Sequence, residues 1–463
     1  MINRVIWARS KSGKKISPFL VGTDRPLRIT LHTSSFARAQ LEEEKAIMIL
    51  RELSKLTEVE TLDTEQGDLP YINIGTWQNN DSYIPITLES EKGITDSYVD
   101  RFQELKIIAA GIVREHRLPH SEIEFIINDL IIAQAHHVFD QDILVTLSSH
   151  LLDNRDKPYF RYFNIRSPLE ATKIMGLLLR SRGNYTWQVR EKIRRSFDQG
   201  LFYLVLCRHR LPNMWRYLSA CVQAEEVQHD NISHLGHSVM LRCVRAIEAR
   251  DAIGCKFYIP QNNNTNHAIM YHFDYLTLLL AGAFDVQARV ARRAYRINSP
   301  IERNTNFRNQ EFLNALKNKG AKQLYDIISG QCFKDLMTLL NELRNTIHNV
   351  AMNIFISEAG KNPKWSFVRV LPEHQDLLWR AAGRYSSPER WGLIKLRDDI
   401  RLEPYTYAVS LVRECFNYID AIAYATDITG LFPDDYSIPP LQEKAPDDKI
   451  FGENIRRRLA IRG

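Results

Sequence analysis

Residues 333–352 read Phe333-Lys334-Asp335-Leu336-Met337-Thr338-Leu339-Leu340-Asn341-Glu342-Leu343-Arg344-Asn345-Thr346-Ile347-His348-Asn349-Val350-Ala351-Met352. Apolar residues recur every three or four positions, the mark of an amphipathic helix with one buried stripe. Arg344 and His348 lie one helical turn apart and project from the same side. A guanidinium holds a phosphate with a planar, permanently charged fork, and an imidazole passes a proton near neutral pH. Together they suit scission of an RNA phosphodiester without a metal. A plainer alternative pairs Arg344 with Glu342 or Asp335 on the surface and gives His348 a local contact.

Working outward, segments on both sides carry the same helical spacing: 267–296, 309–328, 374–382 and 405–425. So do 169–179, 188–207 and 214–249. The run Ile259-Pro-Gln-Asn-Asn-Asn-Thr-Asn is polar and rich in turn-formers, and reads as a linker. Residues 1–155 differ. Arg28-Ile-Thr-Leu-His, Val59-Glu-Thr-Leu and Ile143-Leu-Val-Thr read as short strands, and 41–53, 100–115 and 121–137 as helices. Gly67 to Asp81 carries turn signals. The expected fold is therefore mostly α: an α/β N-terminal domain (1–155), a helical middle region (156–262), a C-terminal helical bundle (263–432) and an extended tail (433–463).

The chain has 463 residues, 44% of them hydrophobic and 25% charged, enough for more than one core. A formal charge of +6 permits a polyanionic partner without demanding one. Basic runs fall at Arg190 to Arg195, at Arg289, Arg292, Arg293 and Arg296, and at Arg456-Arg457-Arg458. No window offers the roughly 18 uninterrupted apolar residues of a membrane span, and the N-terminus lacks a secretory pattern. Six scattered cysteines without a Cys-x-x-Cys pair suggest reduced thiols in a cytoplasmic protein.

A polar linker, about five helices and Leu343-Arg344-Asn345-Thr346-Ile347-His348-Asn349 late in an amphipathic one resemble a HEPN domain over residues 265–430. The gap between Arg344 and His348 is shorter than the family usually shows. The resemblance implies a metal-independent endoribonuclease needing no cofactor, with Arg344, Asn345 and His348 as catalytic residues. His348 would move protons, Arg344 would stabilise the phosphorane, and Asn345 would orient one of them. It also implies RNA as substrate, a homodimer that supplies the second histidine, an operon-encoded regulator, and a place in stress or phage defence. A non-catalytic RNA-binding or dimerisation scaffold is the alternative.

The N-terminal segment Asn128-Asp129-Leu-Ile-Ile-Ala-Gln-Ala with Ile143-Leu-Val-Thr-Leu-Ser148 resembles the second half of a PIN domain, over residues 28–150. PIN nucleases gather carboxylates around Mg²⁺ or Mn²⁺. Asp129 matches one such position. Ser148 and His32 stand where two more aspartates are expected, and Glu43 or Glu44 offers a further acid. The domain reads as PIN-like and degenerate, and a metal-dependent nuclease acting through Asp129 is the second alternative. Glu226-Val-Gln-His229, beside His234 and His237, has metal-ligand spacing but occurs in one copy, so Glu226 and His229 are weak metal candidates. His136-His137 reads as a polar helix end, and Trp365, Trp379 and Trp391 as packing anchors.

Overall fold

A computed structural model describes residues 7, 16–20, 22–23, 25–78, 81–189, 192–195, 198–228, 231–299, 301–349, 354–357, 365–396 and 399–441. At 345–349 and a few other positions only the main chain is described. The chain divides into two compact units that meet in sequence between Arg182 and Gly183.

The first unit is built on a seven-stranded sheet. Its elements are β1 (Leu27–Leu31), α1 (Leu41–Leu53), β2 (Val59–Asp63), β3 (Tyr71–Ile74), β4 (Ile84–Ser90), β5 (Gly93–Val99), α2 (Phe102–His116), α3 (Ile123–Val138), β6 (Ile143–Val145), α4 (Ser149–Asn154), β7 (Ile165–Arg166) and α5 (Pro168–Ser181). The strand order is β5-β4-β3-β2-β1-β6-β7. The strands from β3 to β7 through β1 run parallel, while β4 and β5 return antiparallel at one edge.

β6 is buried throughout, as an unbroken apolar run demands of a strand covered on both faces. Leu144 joins a core made with α2 and α3, and α5 packs on α1, β6 and β7. Ser167 and Glu170 form a capping box that starts α5. β7 and α5 complete this sheet, so the unit runs to Arg182 rather than stopping at residue 155. The segment with turn signals holds β3, and the β4–β5 hairpin had no counterpart in the sequence reading.

The second unit is mostly helical. It contains β8 (Thr186–Val189), β9 (Lys192–Arg195), α6 (Gln199–Arg210), α7 (Met214–Gln228), α8 (Ile232–Phe257), α9 (Asn263–Ala294), α10 (Gln310–Asn318), α11 (Lys322–Ser329), α12 (Gln331–Asn349), β10 (Ile354–Ser357), β11 (Trp365–Arg369), α13 (Pro372–Tyr385), β12 (Leu393–Leu396), β13 (Asp399–Leu402) and α14 (Pro404–Ala425). α8 and α9 form the central pair, and α7, α12 and α14 pack against them. Leu276, Leu279, Leu280, Phe284 and Val286 are all buried in this core. Trp391 is buried edge-on between Tyr385 and Tyr407, which bears out its reading as a packing anchor.

Three segments differ from the sequence expectation. The polar run at 259–266 is a tight α8–α9 connection, not a domain linker. Asn262 and Thr265 form a capping box on α9, and Gln261 donates to the Phe257 and Ile259 carbonyls. The stretch expected as one helix at 188–207 opens with the β8–β9 hairpin. Strands also persist late in the chain as an antiparallel sheet, β10-β11-β13-β12. Residues 442–463, including Arg456 to Arg458, lie outside the described residues.

Candidate functional site

In the first unit the chemistry collects where the chain diverges. β1 leads through α1 to β2 on one side, while β6 leads through α4 to β7 on the other. Adjacent parallel strands that send their connections opposite ways leave a crevice at their carboxyl ends. His32 follows β1, and its main-chain N–H extends the ladder to the Val145 carbonyl at 2.9 Å. Thr146 and Ser148 follow β6, and Ser148 caps α4 by accepting the Leu151 N–H. α3 carries Asp129 to the same point, where Ser148 Oγ donates to Asp129 Oδ2. His32 Nε2 lies 3.7 Å from Asp129 Oδ1.

The hydroxyls behind His32 set its proton. Ser35 Oγ donates to the His32 carbonyl at 2.6 Å, and Thr146 Oγ1 donates to Ser35 Oγ at 3.2 Å. With both hydroxyl protons committed, His32 Nδ1 donates to Thr146 Oγ1 at 2.9 Å. Nε2 is then a lone pair facing Asp129. Burial lowers the His32 pKa to about 4, which keeps the ring neutral. Burial raises that of Asp129 to about 6, against the opposing pull of the Ser148 hydrogen bond and the His150 charge. A protonated Asp129 therefore finds an acceptor in His32, and an ionised one finds a donor in Ser148.

These residues do not fit the Mg²⁺ or Mn²⁺ that the PIN resemblance implies. A hard divalent cation wants several oxygen ligands, and this point offers one carboxylate. Glu43 closes the capping box on Gln40 at the start of α1, and Glu44 is exposed. No group of three or more His, Cys, Asp or Glu among the described residues is placed to hold a metal ion. Glu226 is exposed on α7, and His229 lies outside the described residues. His237 Nδ1 bonds the Ser233 carbonyl, one turn back on its own helix. His136, read as part of a polar helix end, is buried instead, with Nδ1 3.1 Å from Thr30 Oγ1 of β1.

In the second unit Arg344 does not pair with Glu342 or Asp335. His374 faces Glu342 at 2.8 Å, and Arg384 takes Asp335. Arg344 acts on Asp285 of α9, as do Arg308, Arg289 and Arg242 of α8. Burial pushes the Asp285 pKa up and these four cations pull it back. Arg242 lies across Gly282, where any Cβ would strike its guanidinium. The Nε atoms of Arg289 and Arg344 are buried without a hydrogen-bond partner. Four guanidiniums thus act on one carboxylate, and the guanidinium is a group that pairs well with phosphate. Asn345 and His348 continue α12, and their side chains lie outside the described residues.

No protein family, curated protein or solved structure matches this chain.

In the sequence Arg289 stands out only as part of a basic run. Asp285, Arg242 and Arg308 come from separate segments and do not stand out. One local signal was available: Asp285 and Arg289 are four apart on one helix, spacing that puts opposite charges side by side. No described helix is long and apolar enough to cross a membrane.

Proposed function

We propose that the helical unit binds the sugar–phosphate backbone of RNA at the Asp285 arginine cluster and cleaves it without a metal, in the manner of a HEPN ribonuclease. The observation that carries this reading is half-buried Asp285, on which the charges of Arg344, Arg308, Arg289 and Arg242 all act. His348, one turn beyond Arg344 on α12, takes the proton of a ribose 2′-hydroxyl as that oxygen attacks phosphorus. Arg344 stabilises the charge on the phosphorane, and Asn345 orients the phosphate. The leaving 5′-oxygen needs a proton from a second acid, which His348 of a second copy supplies across a two-fold axis. DNA is spared because it lacks the attacking hydroxyl. On this reading the first unit is PIN-like in fold: its Asp129 meets the ends of β1 and β6, with His32 and Ser148 replacing two carboxylates.

The test is cleavage of single-stranded RNA in EDTA by the full chain and by Arg344→Ala and His348→Ala. Both variants are expected to lose at least a hundredfold in rate, the scale of general acid–base catalysis. Variant rates equal to wild type would remove the pair from the chemistry. Retained RNA binding with no cleavage by any form would favour the scaffold reading. In the binding arm, each arginine of the cluster replaced by alanine should reduce the slope of log K against log salt by about 0.7.

A further inference from the structure

We infer that Ser148, Asp129 and His32 form a second, metal-free active centre, in which Ser148 is a nucleophile toward the carbonyl carbon of a neutral ester. The hydroxyl and its base are already joined, since Ser148 Oγ donates to Asp129 Oδ2. The other carboxylate oxygen, Oδ1, lies 3.7 Å from His32 Nε2, a lone pair that accepts a hydrogen bond once Asp129 has taken up the proton. Nucleophile, base and orienting residue in sequence are the arrangement that activates a serine. His32 is itself fixed through Thr146 and Ser35, so the imidazole cannot turn without breaking that chain. The site lies on the strand-to-helix turn after β6, at the switch point between β1 and β6. Ser148 and Asp129 are both partly exposed.

The charge around the site selects the substrate class. His150 faces Glu122 at 3.7 Å, and Asp63 ends β2 at the same edge of the sheet. His150 is the neighbour that acts electrostatically on Asp129. A phosphate would add anionic charge beside the Asp129 carboxylate, whereas an uncharged ester would not. This separates the centre from the arginine cluster of the helical unit, and the inference does not depend on the ribonuclease reading.

The step balances without a co-reactant other than water. Ser148 Oγ bonds to the acyl carbon and its proton passes to Asp129, where His32 Nε2 accepts a hydrogen bond from the new acid. The ester C–O bond breaks, and the alcohol departs with that proton. Water then adds to the acyl carbon, Asp129 takes its proton and returns it to Ser148 Oγ, and the carboxylic acid leaves. Ser148 and Asp129 are the catalytic residues and His32 is a positioning residue.

The experiment uses the full chain and a fluorophosphonate probe, with peptide mass mapping of the adduct. The expected result is a label on Ser148 whose rate rises with pH through about 6, where Asp129 ionises. Asp129→Asn should slow labelling at least tenfold. His32→Gln places an amide against the carboxylate and should move the midpoint downward, which a purely structural role would not do. No adduct on Ser148 in the wild-type protein, or a flat pH profile, overturns the inference without recourse to any variant. Equal labelling of Asp129→Asn overturns it too.

Discussion

The first unit should be acid-labile, and two histidines set the size of the effect. Burial lowers His136 from 6.5 to about 3 and His32 from 6.5 to about 4. His136 packs beneath the central strand through Thr30, and His32 closes its carboxyl end. As pH falls below 6.5 the unfolded chain takes up these protons and the folded chain does not. Their contribution to stability is present above 6.5 and is lost as pH falls toward the folded values. Between pH 7 and pH 5 each histidine costs about 2 kcal/mol. Asp129 acts in the opposite sense. Its pKa is raised from 3.8 to about 6, so the folded state binds that proton first and regains about 1 kcal/mol over the same interval. The net loss is roughly 2–3 kcal/mol, a large fraction of an ordinary domain's stability. In His136→Gln the loss between pH 7 and pH 5 should shrink by about 2 kcal/mol, even if the variant starts lower at pH 7. Urea-dependent hydrogen exchange, read by mass spectrometry on peptides spanning β1 and β6, isolates this unit within the full chain. An identical pH-dependent loss in His136→Gln and wild type would refute the assignment of the proton uptake to His136.

Two further outcomes test the helical unit. Asp285→Asn removes the carboxylate that the four arginines share, so RNA binding measured by fluorescence anisotropy should tighten on the order of tenfold, about 1.4 kcal/mol; weaker binding would mean that Asp285 is needed to hold the guanidiniums rather than to compete with phosphate. Gly430→Ala should cost at least ~2 kcal/mol in thermal or urea unfolding, because any Cβ there would strike the Ala294 carbonyl at the end of α9; an unchanged midpoint would show that the closing turn after α14 can move away.

What the sequence disclosed depended on how local the signal was. β1, α1, β2, α3 and β6 were legible because each carries its own apolar period within one segment. β5 was not: Gly93–Val99 is exposed along most of its length, so the hairpin has no buried stripe to reveal it. The β8–β9 strands run straight into α6, and the apolar spacing of that helix extended the reading back over them. β7 is two residues long, too short to read, yet it decides where the unit ends. Asp129, Ser148 and His32 could be placed because a resemblance supplied three positions to compare. The Asp285 cluster joins α8, α9, the segment before α10 and α12, and no local pattern links those four places.

The short gap between Arg344 and His348 bears on the ribonuclease reading through helix geometry alone. α12 stays helical through Asn349, so positions 344 and 348 are separated by four steps of about 100°. That leaves them about 40° apart around the axis, whereas one more residue would put them about 140° apart. α12 packs on α9, and Arg344 Nε is buried. Position 348 therefore falls on the same side of α12, one turn nearer its end. The spacing thus puts positions 344 and 348 on one side of α12. Inserting one alanine between Ile347 and His348 would rotate the histidine by about 100° and separate the two. RNA cleavage in EDTA should then fall as far as it does in His348→Ala, while binding to the arginine cluster persists. Full cleavage by the insertion variant would show that the helix face is not what brings the two groups to one phosphate.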